Sequence, residues 1–385
     1  MKIAHCSDWH IGYKAGRKTD ELGVNLRLKD GVEAMRAIID DIIAHEVDAM
    51  VVAGDIFHTP FPSPYDIVAV QEQLRKVAQA GIRVYQLAGN HEATDVASDV
   101  ASSKILDDPL RHIYSHVEPY VRYEITDGVM LHMVSHHQYS RQEETFKDIK
   151  PVDGMINLFT THGSVLDPVT STVLSTPQSP REIVIPDHLI DQWDYSLLGH
   201  IHQRKHVTDN MYYNGSLIRR GFSDKPGDRG WTLFEIKPDG TFELTPKNVF
   251  QRPQYDFDVI DTTGLSSAEV TDTIIDRLAK TQTDGFDPVN APIIRQKLDN
   301  ATPGLLAGLD EVAITDAAAH TFTWQLQASS APQQVTPKAE SNEIIEAMTM
   351  KDYYDAWTTA DDKVREKASK YLEQGMETYY EKMTD

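Results

Sequence analysis

Across residues 1–250, short apolar runs alternate with stretches whose apolar positions recur at helical spacing, the pattern of an α/β layered fold. The runs Lys2–Ser7, Asp48–Ala53, Ile82–Ala88, Val129–Ser135, Met155–Thr161 and Tyr195–Leu198 predict strands. Between the first two, Leu28, Val32, Met35, Ile38, Ile39, Ile42 and Ile43 share one helical face, which predicts a helix over Leu28–His45. A second helix is expected over Tyr65–Gln79, ended by Gly81. Met211–Tyr213, Trp231–Ile236 and Thr241–Val249 read as antiparallel strands, separated by turns such as Pro238-Asp239-Gly240.

The pattern changes at Arg252-Pro253. Residues 254–328 read strand, helix (Ser266–Lys280), strand (Ile293–Leu298), helix, strand (Thr321–Leu326), a small α/β unit. Residues 329–340 are polar and lack periodicity, as a linker does. Residues 341–385 are helical in pattern and rich in aromatic and charged residues. A chain of 385 residues is long enough for two or three domains. No apolar run approaches a membrane span, and the first residues enter a strand rather than a signal peptide. The lone cysteine, Cys6, reads as a small core residue and fits a reducing, cytoplasmic setting.

Composition qualifies the picture. The net charge of −22 excludes binding a polyanion by bulk electrostatics. The acidic excess is heaviest after residue 250, whereas 201–250 is slightly basic, so a polyanion is expected near that block.

Five motifs carry the candidate chemistry, most of them just after a predicted strand. They are Asp8-Trp9-His10, Gly54-Asp55-Ile56-Phe57-His58, Gly89-Asn90-His91-Glu92, Thr161-His162-Gly163 and Gly199-His200-Ile201-His202. Strand ends are where open α/β sheets collect ligand-binding residues. The mixed oxygen and nitrogen donors suit borderline divalent metals such as Mn²⁺. In Asp8-x-His10 and His200-x-His202, residues two apart on an extended segment point the same way and can share an ion. Asp55 is placed to bridge two ions, and glycines 54, 89 and 199 permit turns where a Cβ would intrude. The pair His136-His137 reads as structural and is left outside the centre.

The order D-x-H, G-D-x-x-H, G-N-H-E, H, G-H-x-H resembles that of the calcineurin-like metallophosphoesterase superfamily, and within it the SbcD-type exonuclease branch. Ser7-Asp8-Trp9-His10-Ile11-Gly12, Gly54–His58 and Asn214-Gly215-Ser216 carry the finer likeness, and Glu92 departs from it where many members have Asp. The resemblance covers 1–222 well and implies a two-sheet α/β sandwich metallophosphoesterase core. It also implies a small α/β capping domain at 254–328 and C-terminal helices. By that resemblance Asp8, His10 and His202 hold one metal, and Asn90, His162 and His200 hold another. Asp55 bridges the two, and both ions are expected to be Mn²⁺. His91 protonates the leaving oxygen or stabilises the transition state; His58 orients phosphate or His91, or only makes a supporting hydrogen bond.

The implied function is a 3′→5′ double-strand DNA exonuclease and single-strand endonuclease in DNA repair or recombination. The implied assembly is a homodimer acting with an SbcC-type coiled-coil ATPase. Lys14, Arg17, Lys18, Arg204, Lys205, Arg219 and Arg220 flank the motifs and are candidates to follow a DNA backbone; any one of them alone reads as surface. The acidic tail, with Met348, Tyr353, Tyr354, Trp357, Tyr371, Met376, Tyr379 and Tyr380, either docks on the ATPase or packs on its own chain. Phe57-His58-Thr59-Pro60 lacks the acidic residue and Arg-Gly of Ser/Thr protein phosphatases. The remaining alternative is a small-substrate phosphodiesterase or nucleotidase of the same fold. A non-catalytic scaffold should have lost ligands, and none is missing.

Overall fold

Alternation along two central strands divides the interior into two cores. In β1 (Lys2–Cys6) Ile3 joins one core while Ala4 and Cys6 join the other; in β2 (Ala49–Ala53) Val51 separates from Met50 and Val52 in the same way. With β3 (Arg83–Leu87), β4 (Ile113–His116), β13 (Gly230–Ile236) and β14 (Phe242–Asn248) they form a sheet ordered β14-β13-β1-β2-β3-β4. The run from β1 to β4 is parallel; β13 is antiparallel to its neighbours.

A second mixed sheet is ordered β11-β12-β10-β7-β6-β5. Its strands are β5 (Tyr120–Thr126), β6 (Val129–Val134), β7 (Ile156–His162), β10 (Tyr195–Gly199), β11 (Lys205–Thr208) and β12 (Met211–Tyr213). Leu131, Met133, Leu158, Tyr195, Leu197 and Tyr212 meet Ile3, Val51, Leu87 and Phe234 of the first sheet, which makes an α/β sandwich. Helices α1 (Leu26–Ala44) and α2 (Pro64–Gln79) cover the outer face of the first sheet through Met35, Ile38, Ile39 and Ile42, and Val70, Leu74 and Val77. In the chain between β7 and β10, β8 (Ser164–Val165) and β9 (Val184–Ile185) pair in parallel as a separate short ribbon. The computed structural model describes residues 1–93, 100–136, 145–147, 149–165, 183–186, 189, 191–282 and 285–330.

A third, parallel sheet follows, formed by β15 (Gln254–Asp256), β16 (Ile260–Asp261), β17 (Ile293–Ala301) and β18 (Thr323–Ser330). Helix α3 (Ser267–Ala279) packs Val270, Ile274 and Leu278 on Ile294 and Leu298, a core of its own. The unit is tied back by Arg252, whose guanidinium forks onto Asp30 at 2.7 Å and donates to the Pro288 and Ala291 carbonyls. Met1–Ala331 is one compact unit. Ser329 and Ser330, expected to open the linker, instead continue β18; the rest of the linker, 331–340, and the expected tail helices lie outside the described residues.

Three expectations need correcting in detail. Met211–Tyr213 runs parallel to β10 and antiparallel only to β11. Helix α1 begins at Leu26, because the Asn25 side chain accepts from the N–H groups of Arg27 and Leu28. The helix expected between β17 and β18 is two short ones, Pro303–Ala307 and Glu311–Ala317, separated at Gly308, where an added Cβ would stand 2.6 Å from Ser267 Oγ.

One buried group makes this core sensitive to acid. Burial lowers the His5 imidazole in β1 from an ordinary 6.5 to about 3. The folded value is depressed, so this contribution to stability is complete above pH 6.5 and is lost as pH falls toward 3, at roughly 1.4 kcal/mol per unit. His5→Phe, which keeps a ring beside Tyr212, should therefore shrink the pH 7 to pH 5 stability difference by about 2 kcal/mol in urea unfolding.

Candidate metal centre

The carboxyl ends of β1, β2 and β3 face those of β7 and β10 across the sandwich, and the five motifs meet there. The sheets approach so closely that a Cβ on Gly199 would stand 1.8 Å from the Ala53 carbonyl oxygen, and one on Gly89 would stand 2.2 Å from Asp55 Oδ1. Neither position tolerates a side chain. The residues around them adopt left-handed backbone: Asp8 (φ 53°), His10 (φ 48°), Asp55 (φ 54°) and His200 (φ 102°). Asp8 and His10 therefore converge through tight turns and not through strand alternation, which corrects the geometric reason though not the pairing. The turns are held by Asp8 N–H donating to the Gly54 carbonyl at 3.0 Å and His10 N–H to the Asp55 carbonyl at 2.9 Å.

Asp55 lies at the middle, 2% exposed. Its Oδ2 is 3.5 Å from His10 Nε2, 3.3 Å from His162 Nε2 and 4.0 Å from His91 Nε2, while Oδ1 accepts from His91 N–H at 2.9 Å. On one side, His202 Nε2 is 3.1 Å from His10 Nε2 and 3.8 Å from Asp8 Oδ1. On the other, Asn90 Oδ1 lies 2.9 Å from His162 Nε2 and 3.3 Å from His200 Nδ1. Asp8, His10 and His202, and again Asp8, Asp55 and His162, bring donor atoms within 4.8 Å of one another. The structure thus gathers all seven expected ligands into two adjoining clusters with Asp55 facing both, a dinuclear metal centre.

The donor chemistry fits cations. His162 Nδ1–H donates to the Ala53 carbonyl at 2.8 Å and His202 Nδ1–H to Asp224 Oδ1 at 2.8 Å, which turns both Nε2 atoms inward. Burial, with the nearby Arg220 charge, holds His10 well below its ordinary pKa and so neutral. Burial opposes charge on Asp55 but is outweighed by His162 and His10, which hold its carboxyl well below the usual range. Burial likewise opposes charge on His162, yet Asp55 raises it to about 9. Two neutral imidazole nitrogens at 3.1 Å repel unless a proton or a metal lies between them.

His91 Nδ1–H donates to the His58 carbonyl at 2.8 Å, so Nε2 points toward the centre. Its ring stacks on His58 at 5.0 Å, and burial, with His91 and Arg220, lowers His58 to about 4. Glu92 is fully buried and accepts from the N–H groups of Phe57 (2.8 Å) and Gly89 (3.0 Å), joining two motif loops. Burial, with Asp55, pushes Glu92 up to about 8. His136 packs behind His162, its Nδ1 3.1 Å from the His162 carbonyl oxygen; His137 lies outside the described residues.

The candidate basic residues separate. Arg220 alone among them reaches the centre, 3.1 Å from His202 Nε2 and 3.4 Å from His58 Nδ1. Arg204 donates to the Trp231 and Lys247 carbonyls, Arg219 to the Asp224 carbonyl, and Lys18 to the Thr321 carbonyl. Lys14, Arg17 and Lys205 are exposed. Asp224 was not legible in the sequence, where Phe222-Ser223-Asp224 matches no ligand spacing.

Residues 1–235 match the calcineurin-like phosphoesterase family. The chain belongs to that family. The chain is similar to the DNA double-strand break repair protein Mre11 of Haloferax volcanii, 24% identical over 281 residues, 70% of this chain. It spans 56% of that relative's length. A dimetal phosphatase from Danio rerio superposes at 11% identity with a TM-score of 0.35, covering 60% of this chain and 91% of that one. Purple acid phosphatase PPD1 from yellow lupin does so at 12% identity with a TM-score of 0.34, covering 60% of this chain and 48% of that one.

Asp224 orients His202 much as a carboxylate behind a zinc-bound histidine does. Asp224→Ala should weaken one of the two candidate metal sites by about 10- to 100-fold and leave the other nearly unchanged, as read by calorimetric titration of the metal-free protein with Mn²⁺.

Proposed function

We propose that the centre hydrolyses phosphodiesters, with His91 as the general acid. The observation that carries this is the His91 ring, fixed by the His58 carbonyl so that Nε2 stands at the edge of the metal ligands, 31% exposed and open to a leaving group. Two divalent cations held by the seven ligands supply charge neutralisation and an activated water. The chain's own residues do the rest. Asp55 and Asn90 fix the ligand rings, His58 stacks on His91 to set its plane, and Glu92 holds both loops to the sheet.

Two substrates are compatible with this chemistry. The geometry by itself favours a nucleotide-sized diester: one phosphate fills the centre, and Arg204, Arg219 and Lys18 are committed to backbone carbonyls and not to a backbone-tracking surface. The second reading, DNA, is supported by similarity to a relative named as a double-strand break repair protein, over a stretch longer than the phosphoesterase match. On that reading the chain is a Mn²⁺-dependent exo- and endonuclease, working as a homodimer with an SbcC-type ATPase that engages the tail. No helix of the described residues is long and apolar enough to cross a membrane.

The deciding experiment offers the Mn²⁺-loaded protein end-labelled duplex DNA, single-stranded DNA and bis(p-nitrophenyl) phosphate. DNA shortened from its 3′ ends is expected on the nuclease reading; intact DNA beside rapid release of nitrophenol leaves the small-substrate reading. In either case His91→Ala should lower kcat by about 10²- to 10⁴-fold while both metals stay bound. Loss of the metals in that variant, or full activity, sinks the general-acid role.

A further inference from the structure

Arg220 lines a cleft of about 210 Å³ with Tyr13, Phe222, Arg295, Phe322 and Gln325, and its side chain reaches the candidate ligands. Its backbone is pinned. The Arg220 N–H donates to Asp224 Oδ2 at 2.9 Å, and its carbonyl accepts from Tyr13 Oη–H at 2.7 Å. Its guanidinium meets aromatic rings: Nη2 lies 3.1 Å from His202 Nε2 and 3.3 Å from Nδ1, Nη1 lies 3.4 Å from His58 Nδ1, and Cζ stands 6.0 Å from the Tyr13 ring centre. The acid beside it, Asp224, already accepts from His202 and from the Arg220 backbone.

Nη2 lies almost equally far from both ring nitrogens of His202, which puts the guanidinium over the face of that imidazole and away from the in-plane Nε2 lone pair. A cation on Nε2 is therefore compatible with Arg220 where it stands, its backbone held by Tyr13 and Asp224. A guanidinium beside two divalent ions would be repelled by them and stabilised by an anion between. The anion that enters this space is the substrate's phosphate.

We propose that Arg220 donates to a non-bridging oxygen of the reacting phosphate. The proposal rests on the phosphodiesterase reading and is indifferent to whether the diester is DNA. Arg matches a phosphate by two parallel N–H donors, which Lys cannot reproduce.

The test uses the full chain loaded with Mn²⁺, with inorganic phosphate as the probe. In Arg220→Gln, phosphate affinity measured by calorimetry should fall by about 10- to 100-fold, the scale of a lost charge-assisted contact. Arg220→Lys should recover part of it. Mn²⁺ affinity of the metal-free Arg220→Gln protein should stay close to that of the parent, because Arg220 is not among the candidate ligands. In bis(p-nitrophenyl) phosphate hydrolysis, kcat/KM should fall in parallel with phosphate affinity. Unchanged phosphate affinity in both variants overturns the proposal, and so does weaker Mn²⁺ binding, which would make Arg220 a support for His202 alone. Because phosphate binding is read without turnover, a parent protein that binds phosphate through Arg220 yet cleaves no diester would refute the phosphodiesterase reading and leave this contact standing.

Discussion

A buried carboxylate ringed by imidazoles sets the terms for the rest of the molecule. Asp55 has His10, His91 and His162 within ion-pair reach, and it lies in the seam between two sheets. An isolated carboxylate in such a place is costly, so it must be offset by cations held close by. His162 answers part of that demand by holding its proton to about 9, and Glu92, through burial and the Asp55 charge, keeps its own to about 8. Divalent metals would answer the demand fully, because they match the carboxylate and the inward-facing ring nitrogens together.

Gathering those ligands requires backbone that most sequences avoid. Left-handed conformations at Asp8, His10, Asp55 and His200 each cost on the order of 1–3 kcal/mol. The neighbours supply the offset. Trp9 and Ile11, each 1% exposed, alternate with Asp8 and His10 and anchor in the core beneath the first sheet. The first motif thus places alternate side chains in the centre and in the hydrophobic interior. A rigid sandwich is what lets the strained turns persist, and the strain keeps the ligands from relaxing apart.

This division explains what the sequence made legible. The parallel strands carry their own hydrophobic runs, and all seven ligands sit at the ends of those runs, so the sheets and the centre could be read from residue order. Edge strand β5 could not, because Arg122 and Glu124 interrupt its apolar positions, and β4 has only Ile113, Tyr114, Ser115 and His116. Asp224 escaped for another reason: it acts through His202, and a residue that orients a ligand has no spacing rule of its own. The expectation that basic residues near the motifs face a polyanion had the least structural warrant, because sequence cannot tell a guanidinium in solvent from one bonded to carbonyls.

That last distinction bears on how a chain of net charge −22 meets a phosphate at all. Arg27, Arg204, Arg229 and Arg252 are drawn inward, donating to main-chain carbonyls that join loops to sheets, and they contribute little potential at the surface. Of the basic residues near the motifs, Arg220 is the one that reaches the candidate ligands, while Lys14, Arg17 and Lys205 are exposed. Attraction from a few such charges is strong only within a few ångströms, since beyond about 10 Å it is screened at ordinary salt and opposed by the acidic surface. On the proposed phosphodiesterase reading, recognition would therefore depend on contact with the phosphate at the centre more than on long-range steering.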